Sequence, residues 1–119
     1  MQGKSTIQID VELDDKKHPD KIYWSASDNP QGKDPIACKA FLLSVFDEVS
    51  ADTFRIDLWT SKLQVAEMDR LMFQTFKSMA DTYFKATNNH DLANVMHNFA
   101  IYFGEQTGIV PKDESENLS

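Results

Sequence analysis

Apolar residues recur with a period of two as far as Thr60 and with a period near 3.6 beyond it. Strands send alternate side chains to opposite faces, and helices bring every third or fourth to one face. This single switch confines the chain to strands followed by helices, the α+β class. Over residues 6–13, Ile7, Ile9, Val11 and Leu13 alternate with Thr6, Gln8, Asp10 and Glu12. Residues 21–26 set Ile22, Trp24 and Ala26 against Lys21, Tyr23 and Ser25, and residues 52–60 set Phe54, Ile56 and Leu58 against Arg55, Asp57 and Trp59. Between the last two, residues 41–46 are apolar except for Ser44. Asp34-Pro35 and the alanines at 37 and 40 would suit a helix there, but a run of this length beside another strand pattern reads as a strand apolar on both faces. Residues 27–35, with two prolines and a glycine, form a long loop.

After Thr60 a helix is expected from about residues 61–66 to about Ala86, with Ser61 and Gln64 as a possible capping box or Gln64 as the entry itself. Val65, Met68, Leu71, Met72, Phe76, Met79, Ala80, Tyr83 and Phe84 form its apolar stripe. Thr87-Asn88-Asn89 breaks it, and a second helix runs from about His90 to Gln106, with Leu92, Val95, Met96, Phe99 and Phe103 on one side. The expected architecture is a four-stranded antiparallel sheet followed by two helices packed on one face. It occupies a single α+β domain over 1–108, followed by an acidic disordered tail over 109–119.

Parity assigns the faces of the last two strands. A link of four residues, 49–52, makes paired positions sum to 101, so that Val45 lies beside Ile56 and Leu42 beside Trp59. Phe41, Leu43, Val45, Ile56 and Leu58 then face the helices, and Ser44 points away. An odd link would bury the Ser44 hydroxyl and less carbon. Leu42, Phe46 and Trp59 consequently project from the opposite face, with Tyr23 as the aromatic neighbour and Arg55 and Asp57 alongside. Three large side chains of this kind make an apolar patch of a size that marks a partner surface. The expected protein-binding residues are therefore Tyr23, Leu42, Phe46, Arg55, Asp57 and Trp59, unless the 27–35 loop covers them.

Chemistry is sparse. Twelve basic against nineteen acidic residues give a net charge of -7, which argues against nucleic acid as a partner. No apolar run is long enough to span a bilayer and the N-terminus carries no secretory leader, so a cytoplasmic protein without membrane insertion is expected. The lone Cys38 lacks a neighbouring histidine to activate it. His90 and His97 are two helical turns apart with no third ligand. Asp14, Asp15 and Asp20 share a loop with Lys16 and Lys17 but not calcium-loop spacing. Met68, Met72, Met79 and Met96 are read as core packing. No catalytic, metal or cofactor site is expected, and the chain is read as a non-enzymatic, self-associating or partner-binding protein. A small-ligand carrier with a Met-lined pocket is an alternative reading.

Several blocks carry a family resemblance: Trp24-Ser25-Ala26; Lys39-Ala40-Phe41-Leu42-Leu43-Ser44-Val45-Phe46-Asp47; Arg55-Ile56-Asp57-Leu58-Trp59-Thr60; Gln74-Thr75; and Met79-Ala80-Asp81-Thr82. Together, over about residues 7–103, they resemble the gliding motility protein GldC family of Bacteroidetes. The resemblance implies a cytoplasmic accessory of a gliding apparatus linked to type IX secretion, with no enzyme activity and no cofactor; that its contacts are protein partners of that apparatus, or further copies in a homo-oligomer, is the expectation drawn from the apolar patch. A weaker likeness, of fold alone, is to the export chaperone SecB. It implies a chaperone or adaptor for secretion and gliding components.

Overall fold

The computed structural model describes residues 3–112. Five antiparallel strands, β1 (Ile7–Leu13), β2 (Pro19–Ala26), β3 (Ile36–Cys38), β4 (Ala40–Phe46) and β5 (Thr53–Trp59), precede two helices, α1 (Val65–Thr87) and α2 (His90–Gln106). The α+β order is that of the sequence. The chain divides into two compact units, Met1–Leu63 and Gln64–Ser119.

The expected four-stranded sheet is two sheets, β1-β2-β3 and β4-β5. The reason lies at Lys39, where the backbone bends. Residues 36–38, to which the sequence pattern assigns no strand, form β3 and pair with β2, as Trp24–Ile36, Tyr23–Ala37 and Ile22–Cys38. The expected third strand, here β4, pairs only with β5. The Thr60 N–H donates to the Lys39 carbonyl at 2.9 Å, so the bend is itself tied to the end of β5. In the three-stranded sheet Ile9 lies beside Trp24 and Val11 beside Ile22, which keeps the alternate apolar residues on one face. Ile22 and Thr60 are the buried residues of this unit among those described.

The β4–β5 register differs from the expected one by two residues. Positions pair as Leu43–Ile56, Ser44–Arg55 and Leu42–Asp57, and Trp59 lies opposite Ala40 rather than Leu42. The turn is longer than the expected four residues because Asp47 organises it. Its backbone N–H donates to the Asp52 carbonyl at 2.9 Å, and its carboxylate accepts the N–H groups of Val49 (3.1 Å) and Ser50 (2.7 Å). Ala51 takes a left-handed φ of 59° to close the loop. Because the turn still holds an even number of residues, the two faces are those that parity assigned.

In the helical unit, α1 begins at Gln64 rather than Ser61. The Glu67 carboxylate accepts the Gln64 N–H at 3.0 Å, so the capping box is Gln64 with Glu67. Asn88, at φ 58°, ends α1 and donates its N–H to the Phe84 carbonyl. The Asn89 side chain then accepts the Leu92 N–H and starts α2. The buried residues are Phe73 and Ala80 on α1 and Ala93, Ala100 and Gly104 on α2. Small α2 residues at these positions let the helices approach closely, while Phe76 packs edge-on against Phe99 and Phe103 at centroid distances of 5.4 and 5.3 Å. The Ile109 and Val110 N–H groups both donate to the Gly104 carbonyl. These two residues belong to the tail expected over 109–119, of which residues 113–119 lie outside the described residues.

Candidate functional site

Five of the six expected docking residues lie in the β4–β5 hairpin and share one of its faces: Leu42, Phe46, Arg55, Asp57 and Trp59. Tyr23 does not join them. It lies in the three-stranded sheet, paired with Asp10 and Ala37. Phe46 is 70% exposed and Trp59 53% exposed, whereas Leu42 is half-buried nearer the root of the hairpin. The opposite face is no better covered: Leu43, Val45, Phe54 and Ile56 are all exposed. The hairpin therefore carries oil on both faces, and its tip residue Val49 is almost fully exposed.

The charged centre of the face is ordered. The Arg55 guanidinium forks onto Asp57, two residues along the same strand, with Nη2 2.7 Å from Oδ1 and Nε 3.1 Å from Oδ2. It also donates to the Ser44 hydroxyl across the ladder. Arg55 and Asp57 thus neutralise one another as a pair. A bidentate fork fixes orientation more than it stabilises an exposed surface.

Beside Trp59 a cleft of about 380 Å³ is lined by Asp14, His18, Pro19, Asp57, Leu58, Trp59 and Ser61. It brings the β1–β2 turn to the end of β5. Strand alternation gives no signal of this, because the neighbourhood arises from the bend at Lys39. The Asp14 carboxylate is held below the ordinary range chiefly by the His18 backbone N–H and then by that of Lys16, against a desolvation effect of opposite sign. The His18 imidazole Nδ1 is 3.9 Å from it.

The 27–35 loop is tied elsewhere. Ser27 exchanges hydrogen bonds with Thr6, its hydroxyl accepting and its N–H donating, and Ser5 donates to Asp28. The cleft it borders contains Ile7, Trp24 and Pro30, at the far end of β1 and β2 from the β1–β2 turn. Cys38 lines a separate cleft with Ile22 and Thr60, where burial pushes its thiol up. Among the described residues no three His, Cys, Asp or Glu side chains gather as metal ligands. His90 packs edge-on against Phe84. No helix of the described residues is long and apolar enough to cross a membrane.

A strand-built unit with an apolar hairpin exposed on both faces, followed by a helical hairpin, defines a small α+β protein whose most conspicuous surface is greasy rather than polar. Residues 19–109 match the model of the GldC-like family, described as gliding motility-associated protein GldC-like, and the chain belongs to that family. The match takes in β2 to β5 and both helices. Comparison with curated proteins and with solved structures gives no match.

Proposed function

We propose that this chain is a non-enzymatic accessory of a gliding motility apparatus linked to type IX secretion, and that it docks a protein partner of that apparatus through the β4–β5 hairpin. The observation that carries the reading is the hairpin itself, with large apolar side chains exposed on both faces. A two-stranded hairpin is marginally stable in water by itself, and an apolar surface of this extent marks an interface. Leu42, Phe46 and Trp59 supply the contact, and Arg55 and Asp57 set its orientation; Tyr23, in the other sheet, takes no part in it. Membership of the GldC-like family supports the link to gliding motility.

The test is Trp59→Ala. Partners recovered from a lysate of the native cell on immobilised wild-type chain should fall about 10- to 30-fold with the variant, the loss of one aromatic hot spot. Far-UV circular dichroism should not change. A Trp24→Phe background leaves Trp59 as sole tryptophan, and acrylamide quenching of it should drop on binding. If Trp59→Ala unfolds the chain, Trp59 is a core residue and the assignment fails. A SecB-like chaperone or adaptor is favoured by the same exposed surface. It would be recognised by binding of unfolded polypeptides of unrelated sequence, with little dependence on Trp59 alone.

A further inference from the structure

Helix α2 has three arcs where a helix in a simple hairpin needs two. At 100° per residue, Ala93, Ala100 and Gly104 lie within about 40° of one another and form the buried arc. Asn94, Asn98, Asp91 and Glu105 form a polar arc for solvent. Leu92, Val95, Phe99 and Tyr102 form a third, within about 80°. Each of these four large side chains is between 50% and 61% exposed. The third arc is therefore apolar, unburied and distinct from the face that solvent already occupies. It continues onto α1 through a cleft of about 260 Å³ lined by Phe76, Met79, Val95, Met96 and Phe99, with no polar lining.

We propose that this arc is a self-association surface, and that a second copy of this chain docks on it, α2 against α2. Three observations select that occupant. The spacing of 3, 4 and 3 residues between Leu92, Val95, Phe99 and Tyr102 is the seam spacing of helices that pack side by side, so the surface is suited to an identical helix. An antiparallel pair centred near His97 sets Val95 beside the second copy's Phe99 and Leu92 beside its Tyr102. The chain carries a net charge of -7, so copies repel one another at most faces. Yet between Asp91 and Glu105 the helix holds no Asp, Glu, Lys or Arg, and this is where two acidic copies can approach. The area is also adequate. Taking roughly 200 Å² for a large side chain fully exposed, covering these four and Met79 removes on the order of 500 Å² per copy. That is more than half of the roughly 800 Å² each partner contributes to a standard interface.

The surface lies in the helical unit and does not depend on the hairpin reading. A dimer made this way displays two hairpins, and two linked sites bind a repeated partner more tightly than one.

The experiment is sedimentation velocity of the full chain from about 1 to 100 µM. A species of twice the 13.6 kDa chain mass should dominate at the upper end. Val95→Lys should raise the dissociation constant at least 100-fold with helical circular dichroism intact, and Trp59→Ala should leave it within about threefold. If Val95→Lys lowers the helical signal, Leu92→Ser at the edge of the arc is measured in its place, with the same expectation. A monomer at every concentration overturns the proposal. A dimer that survives the α2 variants overturns it too, and so does one abolished by Trp59→Ala. Failure of the hairpin reading shows separately, as partner capture insensitive to Trp59→Ala.

Discussion

Replacing Gly104 by alanine puts a methyl group into space already taken. A Cβ at that position would lie 2.6 Å from Cε1 and 2.9 Å from Cδ1 of Phe73, and 2.8 Å from Cγ2 of Val110. Carbon atoms rest at about 3.5–4.0 Å, so the Phe73 ring must retreat by about 1 Å. It has little freedom to do so, being buried with the Lys77 ammonium 5.3 Å above it. Overpacking of this kind costs about 1–3 kcal/mol. Alanine recovers up to about 1 kcal/mol through its helix propensity, less in a final turn. The net expectation is a loss of about 1–2 kcal/mol. Urea unfolding followed at 222 nm should show a midpoint lower by about 1 M at unchanged m-value, taking m near 1.5 kcal/mol per M. Val110 is half-buried and close to the end of the described chain, so Val110→Ala should relieve part of the penalty. A double-mutant cycle should return a coupling of about 0.5 kcal/mol or more. A Gly104→Ala protein as stable as the wild type would mean that the helices do not approach as closely as the buried Gly104 requires.

Asp47 accepts the Ser50 N–H and hydroxyl and then the Val49 N–H, which hold its carboxyl below the ordinary 3.8. A carboxylate with a lowered folded pKa contributes stability above its unfolded pKa and loses it as pH falls through the folded one. The Val49 and Ser50 amide resonances should therefore move together below pH 3.8, and Asp47→Ala should abolish that titration; amides that ignore pH would refute the turn. Cys38, pushed up by burial against the opposing Ala40 N–H, should react with iodoacetamide at pH 7 several-fold more slowly than a cysteine peptide, because only the thiolate attacks. A rate equal to the peptide's would show the thiol to be open.

The strands were legible because each wet-faced strand repeats its own alternation, and the helices because their stripes are long. The link between β4 and β5 shows where such reasoning stops. Period two fixes which side chains share a face but not where the ladder begins, so a turn lengthened by Asp47 moved every pair by two residues and no face. The three residues of β3 left no mark, since so short a stretch shows no alternation of its own, and the expectation that Tyr23 would share a sheet with Trp59 does not hold. On α2 the stripe through Leu92, Val95 and Phe99 was visible but read as packing. Periodicity reports that a face is apolar and says nothing of what covers it, and the residues buried there are Ala93, Ala100 and Gly104. Phe73 is buried although the expected α1 stripe leaves it out; it stands seven residues, two helical turns, before the buried Ala80 and so shares its side of the helix.

Residues 36–46 serve two sheets with one stretch of backbone. A pull on the hairpin tip therefore travels along that backbone and reaches β2 as shear on three side-by-side pairings, Ile22–Cys38, Tyr23–Ala37 and Trp24–Ile36. Hydrogen bonds loaded in parallel share the strain, whereas bonds peeled from an end fail one after another. The hairpin is thereby anchored through every pairing of β2 with β3 at once.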